Sequence, residues 1–259
     1  MYGFVLLFSL TLVRFVALQG ETHHVQGIVA DEGRFWVTSV ERGAARGWLF
    51  EYEAATGRRL RAAELQQGAM YHPGGFDHEE DSLWIPVAEY RPDSRSVIQR
   101  RSKQTLELIS SFEVPDHVGA LAVLPEGLLL ASWDARRFHL YTREGRPLWS
   151  RANPNPARYQ EIKRRYGSIV ASGLLGRGAQ AQSVVEWLDP ETLQPLGREI
   201  LGRTDRGVPY TNEGMDLRDG MLYLLPEDAP SRLFVFRLSG EAARAAASPP
   251  VPRRILLPW

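Results

Sequence analysis

Residues 25–65 run VQGIVA, DEG, RFWVTSV, ERGAARG, WLFEY, EAATG and RRLRAAEL in unbroken succession. Short runs rich in Val, Ile, Leu, Phe and Trp alternate with polar segments that hold glycine, the pattern of β-strands joined by turns. Asp31-Glu32-Gly33 and Ala55-Thr56-Gly57 supply the turn chemistry. A lone sheet of four short strands cannot bury both of its faces, so the unit is expected to recur.

It recurs four times. Gln26-Gly27-Ile28-Val29 aligns with Gly74-Gly75-Phe76-Asp77, Gly119-Ala120-Leu121-Ala122, Gln160-Glu161-Ile162-Lys163 and Glu213-Gly214-Met215-Asp216, with starts 48, 45, 41 and 53 positions apart. That spacing is the length of one four-stranded propeller blade. The second unit holds SLWIPVA, SVIQRR and LELISSFEV; the third VGALAVL, LLLASW, FHLYT and PLWS; the fourth SIVASGL, SVVEWLD and LQPLGREI. Gly173 to Gly178 is glycine-rich, but no GK[ST] follows it, and it reads as a loop. The fifth unit has only EGMDL, MLYLLP and RLFVFRL, one strand short.

LVRFVAL, residues 12–18, can supply the missing outer strand. The expected fold is therefore all-β: one five-bladed propeller over 12–240, its ring closed by an N-terminal strand so that no sheet edge stays open. Residues 1–11 read as an extension or the remnant of a signal segment. Phe4 to Val13 has the length of a signal h-region, yet no basic residue precedes it and Ala17-Leu18-Gln19 is a poor cleavage site. Residues 241–259 form an Ala/Pro-rich tail.

Composition excludes several functions. The 31 basic and 31 acidic side chains cancel, which argues against nucleic acid as a partner. No stretch is long enough for a stable membrane span. Zero cysteines rule out disulfides, thiolate metal sites and a Cys nucleophile, and leave open whether the chain is cytoplasmic or exported. A monomer acting on a small polar molecule is the expected form.

In a propeller the loops that lead into the inner strands share one face with the loops joining second and third strands. The unusual residues concentrate there: His24, Gln26, His72, His117, Tyr159 and Glu213 on the first set, Glu89, Arg91, Trp133 and Glu227 on the second. The opposite turns (DEG, EED, PEG, ATG, REG) are plain. A bland explanation stands beside this one, since polar residues at strand starts also tie one blade to the next. Trp36, Trp48, Trp84, Trp149 and Trp187 are expected to pack between blades, and Trp133 either to pack or to stack on a ligand.

The stretches His24-Val25-Gln26-Gly27, Tyr71-His72-Pro73-Gly74-Gly75-Phe76-Asp77, Trp84 to Pro92 (WIPVAEYRP) and Pro226-Glu227-Asp228 resemble an uncharacterised family of bacterial and fungal propeller proteins with the patterns HPQG, YHPGGID and WVPVAEYRP. Val25 and Phe76 depart from those patterns, and Tyr159-Gln160-Glu161 stands where YQD is commoner. The resemblance implies the fold and the place of the site, and no activity. A weaker similarity joins Glu213-Gly214-Met215-Asp216 to calcium-dependent lactonase and gluconolactonase propellers.

The chemistry open to such a face is hydrolase- or lactonase-like action on an ester-, lactone- or sugar-like compound. Here His72, His117 and Glu213 are the catalytic candidates, and His24, Gln26, Glu89, Arg91, Trp133, Tyr159 and Glu227 would bind ligand. A divalent metal could be held by His24, His72, His117 and Glu213, or calcium by Glu213 and Asp216. In blade two, strand alternation puts Glu89 and Arg91 on one side and Tyr90 on the other, with Arg91 placed to clamp an anionic or carbonyl group. The alternatives are a non-catalytic ligand-binding propeller and a protein-interaction propeller.

Overall fold

Each sequence repeat opens the innermost strand of one blade. In a computed structural model that describes residues 8–240, the first strand, β1 (Phe8–Ala17), waits outermost for the end of the chain. Blade 1 is β2 (His24–Asp31), β3 (Arg34–Glu41), β4 (Arg46–Glu53) and β5 (Arg59–Glu64). Blade 2 splits its inner strand into β6 (Met70–Pro73) and β7 (Asp77–Glu79), both paired with β8 (Ser82–Glu89), followed by β9 (Ser96–Ser102) and β10 (Leu108–Val114). Blade 3 is β11 (Val118–Leu124), β12 (Gly127–Ser132), β13 (Arg137–Tyr141) and β14 (Pro147–Ala152). Blade 4 is β15 (Arg158–Arg165), β16 (Ser168–Leu175), β17 (Gln182–Leu188) and β18 (Pro195–Leu201). Blade 5 is β19 (Gly214–Arg218), β20 (Met221–Leu225) and β21 (Arg232–Gly240), completed by β1.

The five blades and the closing strand are those expected. β1 runs antiparallel to β21 from Phe8↔Gly240 to Ala17↔Arg232. It begins four residues before the expected Leu12 because Phe8 to Thr11 continues the pairing. The possible signal residues 1–7 and the tail 241–259 lie outside the described residues. Among the described residues no helix is long and apolar enough to cross a membrane.

Burial falls from axis to rim. β3 and β12 are buried along almost their whole length, while β10 and β14 are mostly exposed. Inner strands carry near-continuous apolar runs because neighbouring blades cover both of their faces. The core accordingly consists of five apolar clusters, one per junction between adjacent blades. Trp36, Trp84 and Trp187 are buried in these clusters, with Trp48 and Trp149 partly buried against them.

At the axis, inner strands bond from blade to blade. Gly75 N–H donates to Gly119 O at 2.8 Å and Leu121 N–H to Gly75 O at 3.0 Å. A Cβ on Gly74 would lie 2.2 Å from Gly119 O, so only glycine permits this approach. Below this level buried ions tie the ring. Lys163 Nζ donates to Glu161 Oε1 at 2.8 Å and to Phe76 O, and Glu161 Oε2 accepts Ile28 N–H. One turn lower, Arg165 bridges Asp77 and Asp216 at 2.9 and 2.8 Å, whose other oxygens accept Val123 N–H and Ala30 N–H from the next blades.

Candidate functional site

The inner strands slip register at their upper ends. The pairing skips between Val25 and Gly27, between Val118 and Ala120, and between Tyr159 and Glu161. The bypassed residues are Gln26, Gly119 and Gln160, three of the five aligned by the sequence repeat. A bulge frees one residue from the ladder and re-aims its side chain. In blade 2 the strand breaks instead, at Gly74, and in blade 5 Glu213 immediately precedes β19. Where this position is glycine, in blades 2 and 3, space remains beside the axis.

That space is a cavity of about 70 Å3 lined by Gln26, His72, Gly74, His117, Gly119, Trp133, Asp134, Tyr159 and Gln160. It has a hydrogen-bonding logic. Gln26 Nε2 donates to Val25 O at 3.1 Å, which turns its Oε1 toward His72 Nε2, also at 3.1 Å. An amide oxygen only accepts, so His72 carries its proton on Nε2. Its Nδ1 is then a lone pair, and this buried atom has no partner. His117 is set the opposite way: Nδ1 lies 2.8 Å from Arg91 O, so Nδ1 holds the proton and Nε2 the lone pair.

Both imidazoles are neutral. Burial pushes His72 well below the ordinary histidine value, aided by nearby His117, His24 and Arg42. Burial likewise brings His117 down to about 4, against the pull of the Arg91 carbonyl and Asp116. Aromatic rings hold these imidazoles: Tyr90, behind the cavity wall, meets His72 edge-on at 4.3 Å, and Trp133, within the wall, meets His117 edge-on at 4.5 Å. Tyr159 offers its ring alone. Its hydroxyl donates to Glu186 Oε2, and burial together with that carboxylate drives the phenol upward.

A second cluster stands on the same face, between blades 1 and 5. His24 Nδ1 lies 2.5 Å from Glu227 Oε2, and Glu213 completes a set whose ligand atoms fall within 4.8 Å of one another. Asn212 Oδ1 accepts Glu227 N–H at 3.2 Å and holds that loop in place. Glu213 is partly exposed as a residue, but its carboxyl group is withdrawn from water. Desolvation, with Glu227 beside it, raises it well above the usual carboxylate range, and Arg42 opposes the rise.

The structure thus divides the expected site. Gln26, His72, His117, Trp133 and Tyr159 line the cavity; His24, Glu213 and Glu227 form the neighbouring cluster. The four-residue metal set corrects to a smaller one. His72 and His117 are not among the converging ligand atoms, because each is bound to its own blade junction and Glu227 takes their place. Calcium on Glu213 and Asp216 is also corrected: Asp216 is fully buried, with its oxygens given to Arg165, Ala30 N–H and Leu217 N–H.

Glu89 and Arg91 do not reach the cavity. Arg91 Nε donates to Glu89 Oε2 at 2.8 Å and its side chain is 65% exposed. Hydrogen bonds from Arg91 hold Glu89 below its usual value. Tyr90, which strand alternation turns away, instead packs on His72, because β8 ends at Glu89 and alternation ends with it. Ser94, whose Oγ lies 3.2 Å from His117 Nδ1, carried no sequence signal at all. Asp134 lines the cavity with a left-handed backbone (φ 55°) and faces Arg158 and Arg177 at 3.6 and 3.8 Å.

A model of a family of unknown function (DUF6454) matches residues 9–159. No curated protein gives a significant sequence match. Among solved structures, the chain is similar to glutaminyl cyclase from Myxococcus xanthus, with a TM-score of 0.70 and 15% identity over 91% of this chain and 99% of that one. It is also similar to selenomethionine-substituted virginiamycin B lyase from Staphylococcus aureus, with a TM-score of 0.50 and 10% identity over 89% and 99% of the two chains. At such identities the likeness shows the propeller fold alone.

Proposed function

The chain belongs to that family of unknown function, and with no reaction to inherit from it we propose that the axial cavity binds a small uncharged polar molecule of ester, lactone or sugar type. The carrying observation is a pair of neutral imidazoles in one cavity wall, His72 with a buried, unpartnered Nδ1 and His117 with Nδ1 committed to Arg91 O and its Nε2 left as an acceptor. An acceptor left unmet in a buried site costs about 1–3 kcal/mol, which a ligand hydroxyl or amide N–H recovers. The His117 Nε2 lone pair is a second acceptor. Trp133 and Gln160 line the same space, and their side-chain donors have no hydrogen bond among the described residues, so they are free to serve a ligand. The small volume admits the polar end of a ligand, with the rest reaching the mouth. Neutral imidazoles leave no net charge to hold an anion.

Hydrolysis is a second reading, favoured by this pairing of acceptors with donors. A water held at His117 Nε2 attacks the ester carbonyl carbon and gives its proton to Nε2. The carbonyl oxygen takes hydrogen bonds from Gln160 and Trp133, and the proton passes to the leaving alkoxide as the C–O bond breaks. The low basicity of His117, brought down by burial to about 4, makes binding the primary role and hydrolysis the derived one.

Thermal-shift and NMR screening of small lactones, esters and monosaccharides tests the proposal. A hit lost in His72→Phe and in Gln160→Ala, with both variants still folded, is the expected result. A hit that both variants retain overturns it.

A further inference from the structure

We infer that His24, Glu213 and Glu227 form a divalent transition-metal site at the blade 1–blade 5 junction, separate from the ligand cavity.

Three separate segments contribute: the start of β2, the residue before β19 and the loop between β20 and β21. One imidazole nitrogen and two carboxylate oxygens are a mixed N/O donor set that suits Zn2+ or Mn2+ better than the all-oxygen shells Ca2+ and Mg2+ prefer. Three protein donors leave positions open for water or a ligand atom.

The separations fit with modest adjustment. A tetrahedral zinc with bonds of about 2.0–2.2 Å sets its donors roughly 3.3–3.6 Å apart. In the structure one pair stands closer, at 2.5 Å, and all the ligand atoms fall within 4.8 Å of one another, so the ion would part His24 from Glu227 to enter between them. Glu227 can move, since its side chain is 37% exposed on a loop.

A cluster of carboxylates alone is commonly a solvated surface feature. Glu213 makes this one different. Its carboxylate stands, largely buried, beside a second carboxylate, and among the described residues no hydrogen bond or close ion pair reaches it, only the more distant Arg42 offsetting its charge. Its neighbours are otherwise well served: Glu227 has His24, Asn212 has Glu227 N–H, and Arg42 stands over the Tyr90 ring at 5.6 Å. A carboxylate kept in that position without a partner is a group that a cation completes.

The bulge at Gln26 explains how two sites share one strand. In a regular strand His24 and Gln26 point to the same side. The register slip between Val25 and Gly27 separates them, so His24 joins the junction cluster and Gln26 joins the cavity wall. A cation there would sit near His72, on which His24 already acts electrostatically.

The test is calorimetric titration of the full chain with Zn2+, in parallel with Mg2+ and Ca2+, and with Glu213→Gln and Glu227→Gln. Wild type should bind one Zn2+, and each variant should weaken binding about tenfold or more. Melting curves without metal establish that the variants fold. Mn2+ electron spin echo spectroscopy should show imidazole nitrogen coupling that disappears in His24→Ala. Absence of saturable Zn2+ binding by wild type overturns the inference. Zn2+ binding of undiminished affinity in Glu213→Gln, or manganese without nitrogen coupling, does so too. A His72→Phe variant that loses small-molecule binding but keeps Zn2+ would separate this site from the cavity.

Discussion

The His117 imidazole Nδ1 lies 2.8 Å from the main-chain oxygen of Arg91, so a histidine of blade 3 is fixed by the backbone of a blade 2 loop. Arg91 N–H in turn donates to Glu89 O at 2.8 Å, and Ser94 Oγ approaches the same Nδ1 at 3.2 Å. The loop after β8 therefore sets the His117 tautomer through a carbonyl, while Tyr90 from the same loop supports His72. Side-chain identity matters at Tyr90; at Arg91 it is the backbone that acts.

Arg91→Ala should accordingly leave the carbonyl in place and remove only an exposed ion pair. The melting temperature and cavity ligand binding are expected to stay at wild-type levels. Tyr90→Ala should weaken ligand binding while Arg91→Ala does not, as measured by titration with any ligand found by screening. The reverse order would return the binding role to the Arg91 guanidinium.

Stability should fall with acid in a window set by the two neutral histidines. Folded His117 titrates at about 4 and the unfolded group at 6.5. Its contribution is therefore present above pH 6.5, declines as pH falls, and is gone below about pH 4, amounting to about 3 kcal/mol. His72, also depressed, adds in the same direction. Glu161 and Glu213, pushed up by burial, act in the opposite sense, so the histidine share is read as a difference. His72→Gln/His117→Gln should show a flatter loss between pH 6.5 and 4 in denaturant unfolding. Identical slopes for variant and wild type would refute the neutral assignment.

The blade count was legible because a repeat of short strands is a periodic signal, and the missing fifth-blade strand pointed to the chain's start. The gathering of His24, His72, His117 and Glu213 at or near the starts of inner strands was legible too. Their partition was not. It depends on bulges at Gln26, Gly119 and Gln160, which one-residue register slips create and which leave no mark in the apolar pattern. Tyr90 was misplaced for a related reason, as alternation holds only while β8 lasts. The bland explanation proved right deeper in the axis, where Asp77 and Asp216 accept backbone N–H groups of the next blade and Glu161 accepts one from blade 1 across the axis.

The Lys163–Glu161 pair, with both side chains fully buried, gives a sharper test of those ties. Burial pushes Glu161 up to about 8 against the attraction of Lys163. Lys163→Met removes the donor to Glu161 and to Phe76 O, leaving both acceptors unmet at the axis, at a cost of about 1–3 kcal/mol each. Lys163→Met/Glu161→Gln should recover part of that loss, because the carboxamide brings an N–H donor of its own to the acceptors left at the axis. Urea unfolding of the three proteins decides: a double variant no more stable than Lys163→Met would mean the pair acts mainly through its backbone hydrogen bonds.

Ring closure can be tested at β1. Val16 and Leu18 are buried in the cluster between blades 5 and 1, and Leu18 N–H donates to Ser231 O at 3.0 Å. Ala17 also packs tightly on blade 1, since a Cβ on Gly57 would lie 2.0 Å from Ala17 O. Removing residues 1–17 would take away the whole β1–β21 ladder and leave Phe234 and Phe236 beside an unpaired strand edge. Such an edge recruits another strand, so the truncated chain should self-associate in light scattering and melt at a lower temperature. A synthetic peptide spanning residues 8–18 should bind it and reverse that self-association by strand addition. If the truncated chain stays monomeric, melts as the full chain does and ignores the peptide, β1 is an appendage to the ring and the closure argument fails.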